Sequence, residues 1–450
     1  MGVAGGGWAI GAVVLLACVL YVLRVYPLVG AGYRAKVLCS ALFGSGRDLD
    51  THLRTQISAD AYLILRPFRV HVDRTARSVS ASFFGLLSRT AVYRDGLGAT
   101  LLAGPHLVTL GPPVPQRTPV VSSAPAWPRG HGSGALQDVV DAAFLEPQPQ
   151  RLRRTYAVLV VRDGEIVAER YACGIRPEMP MPGWSMAKSV LNALVGILVA
   201  EGRLRLDQRE LLREWPASDP RGAITLEDLL RMRSGLRFRE QYGNPWSDVL
   251  RMLYRSHDMA ACAAAMPLIA APGTAWQYSS GTTNILSKVV RGVVGDAEYH
   301  GWPRRALFGR IGMSSATPEP DPSGTFVFSS YMLATARDWA RFGQLFLDRG
   351  RWKGDQILPE EWIDFSTTPT VQCPEGRHGA HWWVKLNPEI GGDSPAARRI
   401  AADAFFAIGH EGQTLSVIPS KRLVVVRLGA AIYIDAWNHA QFIADVQDAV

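Results

Sequence analysis

The sequence predicts an α+β fold, an antiparallel sheet flanked by helices with a helical subdomain, and three observations carry that expectation. A β-hairpin signature runs through Tyr156-Ala157-Val158-Leu159-Val160-Val161 and Ile166-Val167-Ala168-Glu169-Arg170-Tyr171, turning at Arg162-Asp163-Gly164-Glu165. Two apolar strand patterns, Thr414 to Ile418 and Leu423 to Leu428, close the chain. Helical patterns fill the space between, so the terminal strands are expected to meet in one antiparallel sheet.

The bulk properties narrow the function classes. At 450 residues and 48% apolar content, the chain can hold a large catalytic domain plus a smaller unit, and intrinsic disorder is excluded. The formal charge of +8 comes from 48 Lys+Arg against 40 Asp+Glu, with the arginines scattered and no basic block interleaved with aromatics, which argues against a nucleic-acid partner. Cys18, Cys39, Cys173, Cys262 and Cys373 are odd in number and far apart, without a Cys-x-x-Cys pair. That pattern suggests neither a disulfide framework nor a zinc site, and no His/Asp/Glu cluster stands at ligand spacing, so no metal or cofactor is expected.

Taken in order, residues 1–34 read as a membrane anchor. Trp8 to Val29 carries one charge, Arg24, over a length able to cross a bilayer, while MGVAGGG lacks the basic start of a signal peptide. Arg24, Arg34, Lys36 and Arg47 follow the segment and would hold the bulk of the chain in the cytoplasm by the positive-inside rule, though four charges leave the side of the membrane open. Residues 35–110 read as a small β-rich module, from runs such as Arg69-Val70-His71-Val72 and Thr90-Ala91-Val92-Tyr93. Residues 111–150, rich in Pro, Ser and Gly at their start, read as a linker or extended strap, and residues 151–450 as the catalytic domain.

Within that domain, Ser185-Met186-Ala187-Lys188 opens an apolar run that stops at Glu201-Gly202. Positions i and i+3 share a helix face, so the Ser185 hydroxyl and Lys188 amine can meet. An amine in a low-dielectric pocket has its pKa pushed down and can accept the serine proton, and the helix N-terminus aims N–H groups at a developing oxyanion. The chain has only six lysines, and one lies inside this apolar helix. Two more elements follow in order. Tyr278-Ser279-Ser280 lies in a turn before a helix, and His410-Glu411-Gly412 precedes the strand at Thr414. Thr225 and Asp228 cap the helix EDLLRM, which ends at Ser234-Gly235, and another helix, ARDWARFGQLFL, starts at Ala336.

With these elements in order, the chain from about Arg151 onward resembles the serine β-lactamase and penicillin-binding protein superfamily, in the class C-like branch that includes esterases, nylon-oligomer hydrolases and D-amino-acid peptidases. Further support lies in Ile224-Thr225-Leu226-Glu227-Asp228-Leu229-Leu230 leading to Ser234-Gly235-Leu236, in Ala271-Pro272-Gly273, and in Gly409-His410-Glu411-Gly412-Gln413. The Ser-Asp-Asn and Lys-Thr-Gly partners of class A enzymes do not occur here in that form. The resemblance implies a β-lactamase/transpeptidase-like fold and a serine hydrolase working through an acyl-serine. Ser185 would be the nucleophile, Lys188 would take its proton or hold Tyr278 deprotonated, and Tyr278 would relay a proton to the leaving group. The N–H groups of Ser185 and Gln413 would form the oxyanion hole. Ser280, His410, Gly412 and Trp276 would line the substrate site; Trp184, Trp382 and Trp383 are further aromatics near the motifs.

His410 stands where many relatives carry a carboxylate-fixing lysine, and Ser280 where the tyrosine motif often ends in asparagine. Both departures point to small esters or amides in place of β-lactams. The alternatives are a D-amino-acid peptidase or β-lactamase, a catalytically inactive membrane-tethered binding protein, and an α/β-hydrolase with Ser185, Asp403 and His410 in triad order. Three prolines before Ser185 disfavour the strand that the last of these needs.

Overall fold

The computed structural model describes residues 24–52, 60–102 and 127–450. A helix α1 (residues 24–39) runs into a π-helical turn at Ser40–Gly44. Four strands follow as an antiparallel meander in the order β1 (Phe68–Asp73), β2 (Ser78–Phe83), β3 (Leu86–Arg94), β4 (Gly98–Leu102). Alternate residues Val79 and Ala81 of β2 and Ala99 and Leu101 of β4 are buried, and they share one core with Val25 and Val29 of α1.

This arrangement corrects the boundary drawn at residue 34, which falls inside α1. Residues 1–23 of the expected anchor lie outside the described residues. Of the remainder, Val25, Leu28, Val29 and Ala31 are buried against protein, and a Cβ on Gly30 would come within 2.3 Å of the Phe68 ring. Arg34, read as a charge flanking a membrane, is buried and donates to the carbonyls of Leu65 and Phe68 at 2.7 and 2.5 Å. Lys36 forms an ion pair with Glu319, both side chains almost wholly buried. The orientation drawn from these charges loses its basis, because positive-inside counting applies to charges in the aqueous flank. Among the described residues no helix is long and apolar enough to cross a membrane.

The stretch read as a linker or extended strap, residues 111–150, is described from residue 127 onward. Residues 103–126 lie outside the described residues, but Pro128 to Gly130 pair with Ile166 as an extended strap, and α2 (Gly134–Ala142) is a helix. Ser133 caps it by accepting the Leu136 N–H, and Leu136 and Val140, one turn apart, bury into a core beneath the main sheet.

The hairpin β5 (Thr155–Arg162) and β6 (Glu165–Tyr171) turns through Asp163 and Gly164, both at positive φ, the backbone that an Asp-Gly pair accommodates best. After it come helix α3 (Ala187–Ala200), the capping-box helix α4 (Leu226–Leu230), α5 (Ser280–Val294) and α6 (Ala336–Leu347). The chain ends with β7 (Phe405–Gly409), β8 (Gln413–Ile418), β9 (Leu423–Gly429) and helix α7 (His439–Ala449). The terminal strands meet as expected: the sheet order is β7-β8-β9-β5-β6, all antiparallel, with Val424 opposite Val161 and Val426 opposite Leu159.

Both faces of this sheet are covered, which is why β5 and β9 are apolar without interruption. Ala157, Leu159 and Val161 face the core that holds α3 and α6, while Val158 and Val160 face α2 and α7. Helix α3 is buried nearly all round, and its polar side chains are all engaged: Ser189 donates to the His381 carbonyl and Asn192 to that of Ala380, at 2.7 and 2.9 Å. Those bonds fix the helix, and with it the residues at its N-terminus.

Candidate active site

Ser185 sits in a single 3-10 turn, Trp184–Met186, that leads straight into α3. The turn is wedged in place: a Cβ on Gly183 would lie 2.2 Å from the Trp339 ring, and one on Gly409 would lie 2.2 Å from the Gly183 carbonyl oxygen. Only glycine at both positions lets the end of β7 come against the Ser185 turn. Trp184 itself has φ 49, a left-handed conformation costing a bulky residue about 1–3 kcal/mol, which the packing around it sustains.

Lys188 lies one turn into α3 and is 2% exposed. Its Nζ is 3.0 Å from Ser185 Oγ, 3.2 Å from Ser280 Oγ and 2.7 Å from the Ser329 carbonyl oxygen. All three contacts are neutral. Burial therefore pushes the ammonium down to about 8, opposed by the carboxylate of Glu240. Tyr278, in the segment just before α5, faces the same pair: the nearby Ser185 side chain acts on its phenol, and the Lys188 amine lies 4.9 Å from the centre of its ring. Burial, and then the negative charge of Glu240, push the Tyr278 phenol well above its ordinary range. Ser185, Lys188 and Tyr278 thus lie together at one cleft.

His410 stacks on Tyr242 at 4.6 Å between ring centres and meets Trp184 edge-on at 5.4 Å. Burial lowers its pKa, against Glu411 and Glu240, so the ring is neutral near pH 7. Gly412, at φ 81, lies where a Cβ would come 2.5 Å from the Arg427 guanidinium. Arg427 is fully buried and donates to the Gly412 carbonyl at 2.8 Å and to the Glu411 carbonyl at 3.3 Å, so it anchors this turn from behind. Gln413 contributes only backbone to the cleft, since its buried amide is bound to Gly429 at 2.6 and 3.0 Å.

One expectation is corrected. Ser280, expected to grip substrate, is fully buried: its hydroxyl donates to Glu240 at 2.6 Å and receives Lys188 at 3.2 Å, so it links the amine to the carboxylate. Trp382 is core, stacked on Phe342. Trp383 lies at the site, stacked on Tyr278 with 5.5 Å between centres, and Trp276 is half-buried beside it and His378. The α/β-hydrolase alternative fails twice: the main sheet is antiparallel, and the Asp403 carboxylate caps Ser420.

Sequence reasoning missed Glu240 and Tyr242. Both lie in the irregular segment after Ser234-Gly235-Leu236, where Glu240 accepts the Ser280 N–H at 2.9 Å and the Tyr242 hydroxyl at 3.3 Å. The only available signal was an acid and a tyrosine two residues apart in a loop.

A fold of this topology carrying Ser, Lys and Tyr in one cleft defines a class of acyl-transferring serine hydrolases. The chain belongs to the Beta-lactamase family, whose sequence pattern matches residues 140–431. It is 28% identical over 314 residues to the 6-aminohexanoate-dimer hydrolase of Paenarthrobacter ureafaciens, covering 64% of this chain and 76% of that one. Among solved structures it is similar to a putative 6-aminohexanoate-dimer hydrolase from Bacillus anthracis, with TM-score 0.55, 23% identity and coverage of 68% and 82% of the two chains. It is also similar in fold to a family VIII carboxylesterase, with TM-score 0.51, 17% identity and coverage of 71% and 98%. The protein is a serine hydrolase of this family.

Proposed function

We propose that the protein hydrolyses small esters or amides through an acyl-serine on Ser185. The observation that carries this reading is the buried Lys188 amine at 3.0 Å from Ser185 Oγ, its pKa lowered to about 8. Ser185 Oγ attacks the substrate carbonyl carbon and its proton passes to neutral Lys188. The oxyanion is received by the N–H groups of Ser185 and Gln413. Collapse expels the leaving group, which takes a proton from the Tyr278 phenol, and Lys188 returns one to Tyr278. Water then attacks the acyl carbon, gives up its proton along the same path, and releases the acid and free Ser185.

The raised Tyr278 pKa favours a neutral phenol, which selects Lys188 as the base over a tyrosinate. Neutral His410 supports the preference for uncharged esters or amides over substrates that present a carboxylate. Relatives named as hydrolases of a 6-aminohexanoate dimer and of carboxylic esters agree with both bond types. Of the apolar segment Trp8 to Val29, the stretch Trp8 to Leu23, shorter than a full bilayer span, is proposed to associate with a membrane, checked by fractionating cells that express the full chain and one lacking that stretch.

The test is a fluorophosphonate label followed by mass spectrometry, with turnover of p-nitrophenyl esters, a chromogenic cephalosporin and D-alanyl peptides. The expected result is one adduct on Ser185, none in Ser185→Ala, and turnover of the esters. Absence of an adduct on the folded wild-type chain would favour a binding protein, and cephalosporin or D-alanyl turnover without ester turnover would reassign the substrate.

A further inference from the structure

The end of the N-terminal meander that carries the β2–β3 turn presents an apolar surface to solvent. Leu63 and Ile64, in the 3-10 turn Asp60–Leu65, are 45% and 56% exposed, and Phe84 and Leu86, at the β2–β3 turn, are 63% and 71% exposed. The two groups adjoin. The Phe84 N–H donates to the Pro67 carbonyl at 3.3 Å, and the Phe83 and Phe84 rings lie 4.7 Å apart between centres. Tyr26 of α1 donates to the Ile64 carbonyl, and its ring meets Phe83 edge-on at 5.9 Å. Large apolar side chains exposed together, in place of singly, mark an interaction surface.

The turn residue also runs against its own backbone. Phe83 pairs with Leu86, which leaves Phe84 and Gly85 as a two-residue loop, both at positive φ, 48 and 85. Asn-Gly fits such a loop best, and a bulky side chain at its first position is strained. Phe84 therefore disfavours the folded chain twice, by conformation and by exposure, and a contact outside the chain is what would offset both.

The charge beside the patch selects the occupant. Arg24, Arg66 and Arg69 are exposed and Arg89 is half-buried, and none of the four has an ion-pair partner among the described residues. Burial, and then the like charges of Arg255 and Arg24, lower the Arg89 pKa, so guanidinium groups converge there. Between residues 60 and 72 the sequence holds one carboxylate, Asp60. Asp73 and Asp95 lie at the opposite end of the meander, where Asp73 faces Ser78 and Asp95 pairs with Arg77. An apolar tip bordered by arginines suits the headgroup layer of an anionic bilayer. The uncharged stretch Trp8 to Leu23 leads into this same end, since it stops at Arg24, next to the helix turn that holds Tyr26.

We propose that the Phe84–Leu86 tip, with Leu63 and Ile64, docks on a phospholipid bilayer carrying anionic headgroups, which Arg24, Arg66 and Arg69 attract. The proposal rests on the reading that the chain meets a membrane, and adds to Trp8 to Leu23 a second contact. Helix α1 joins this contact to the cleft: Tyr33, roughly 10 Å along the helix from Tyr26, lies 3.5 Å from the carboxylate of Glu411, beside His410.

The experiment mixes the full chain with vesicles of phosphatidylcholine and phosphatidylglycerol, or of phosphatidylcholine alone, each containing a lipid with a photoactivatable acyl chain. Flotation reads binding, and mass spectrometry after illumination reads which residues touch lipid. Wild type should give adducts on the tip and on Trp8 to Leu23, the tip adducts falling roughly tenfold on phosphatidylcholine alone. Phe84→Asn with Leu86→Thr should melt at or above wild type and lower adducts at Leu63 and Ile64 about tenfold, leaving those on Trp8 to Leu23 unchanged. Arg66→Ser with Arg69→Ser should lower tip adducts roughly tenfold on the mixed vesicles, and decides the matter if the first variant does not fold. Adducts on Trp8 to Leu23 alone, or tip adducts that ignore lipid charge, overturn the proposal and leave the first contact standing. Adducts on the tip alone strike the first contact and uphold this one, and a chain that floats with neither vesicle loses both. A bare tip in a protein that sediments as a dimer, and as a monomer once Phe84 and Leu86 are replaced, would give the patch to a second copy and overturn lipid docking. Fluorophosphonate labelling of Ser185 should be the same in all variants, and its loss in wild type would strike the proposed reaction and not this surface.

Discussion

Two lysines are buried to the same degree in this protein, Lys188 in the cleft and Lys36 where the N-terminal helix meets the catalytic domain, each 2% exposed. Their partners differ. Lys36 touches the Glu319 carboxylate and the Ser40 hydroxyl, whereas Lys188 touches two hydroxyls and a carbonyl, and the Glu240 carboxylate acts on it only through space. Burial alone therefore does not make a base. A buried ammonium with a carboxylate in contact is half of a structural ion pair, and one with only neutral oxygens in contact gives up its proton readily.

The largest test of that contrast is Lys188→Met. Removing the proton acceptor should lower kcat/KM on a p-nitrophenyl ester by roughly 10²–10⁴. Stability should change little, because an amine with no ion-pair partner is exchanged for an apolar chain of similar length. Activity within tenfold of wild type, in a variant that melts normally, would remove Lys188 from the chemistry.

Lys36→Met should behave in the opposite way. It leaves the Glu319 carboxylate buried without its counter-charge, and breaking a buried pair from one side costs about 3–5 kcal/mol. Urea unfolding should show that loss, while the pH-rate profile of the remaining folded protein keeps its midpoint. Adding Glu319→Gln, which removes the stranded charge but keeps an acceptor for the Ala99 N–H, should restore a good part of the stability. A single variant as stable as wild type would show that the pair contributes no net stability.

What the sequence could reveal follows the same division. The β5–β6 hairpin was legible because Asp163-Gly164 sets a specific turn between two apolar runs, and α3 because its apolar residues run without a break from Val190 to Leu191 and from Ala193 to Ala200. Ser185, Lys188 and Tyr278 were legible because local spacing and a turn before a helix place them. Glu240 and Tyr242 were not, since they come from an irregular segment and reach the cleft only through tertiary packing on Ser280 and His410. The apolar N-terminus misled for a related reason: in a one-dimensional reading, residues that bury against β1 to β4 look the same as residues that bury in lipid, and Arg34 and Lys36 look solvated until their partners some 30 and 283 residues away are known.

The finest distinction concerns Glu240, which touches Ser280 and Tyr242 but not Lys188, and so tunes the base without pairing with it. With the Lys188 pKa at about 8, kcat/KM should rise close to tenfold per pH unit below that value and level off above it, because only the neutral amine accepts the serine proton. Glu240 raises that pKa by stabilising the ammonium. Glu240→Gln takes the charge away, favours the neutral amine, and should move the rising limb to lower pH by less than about one unit. The same change relieves the upward push on Tyr278, so any falling limb from loss of the phenol proton should also move down. A rising limb that moves up or stays fixed would mean that Glu240 acts only by holding Ser280 in place, and Lys188 would then owe its lowered pKa to burial alone.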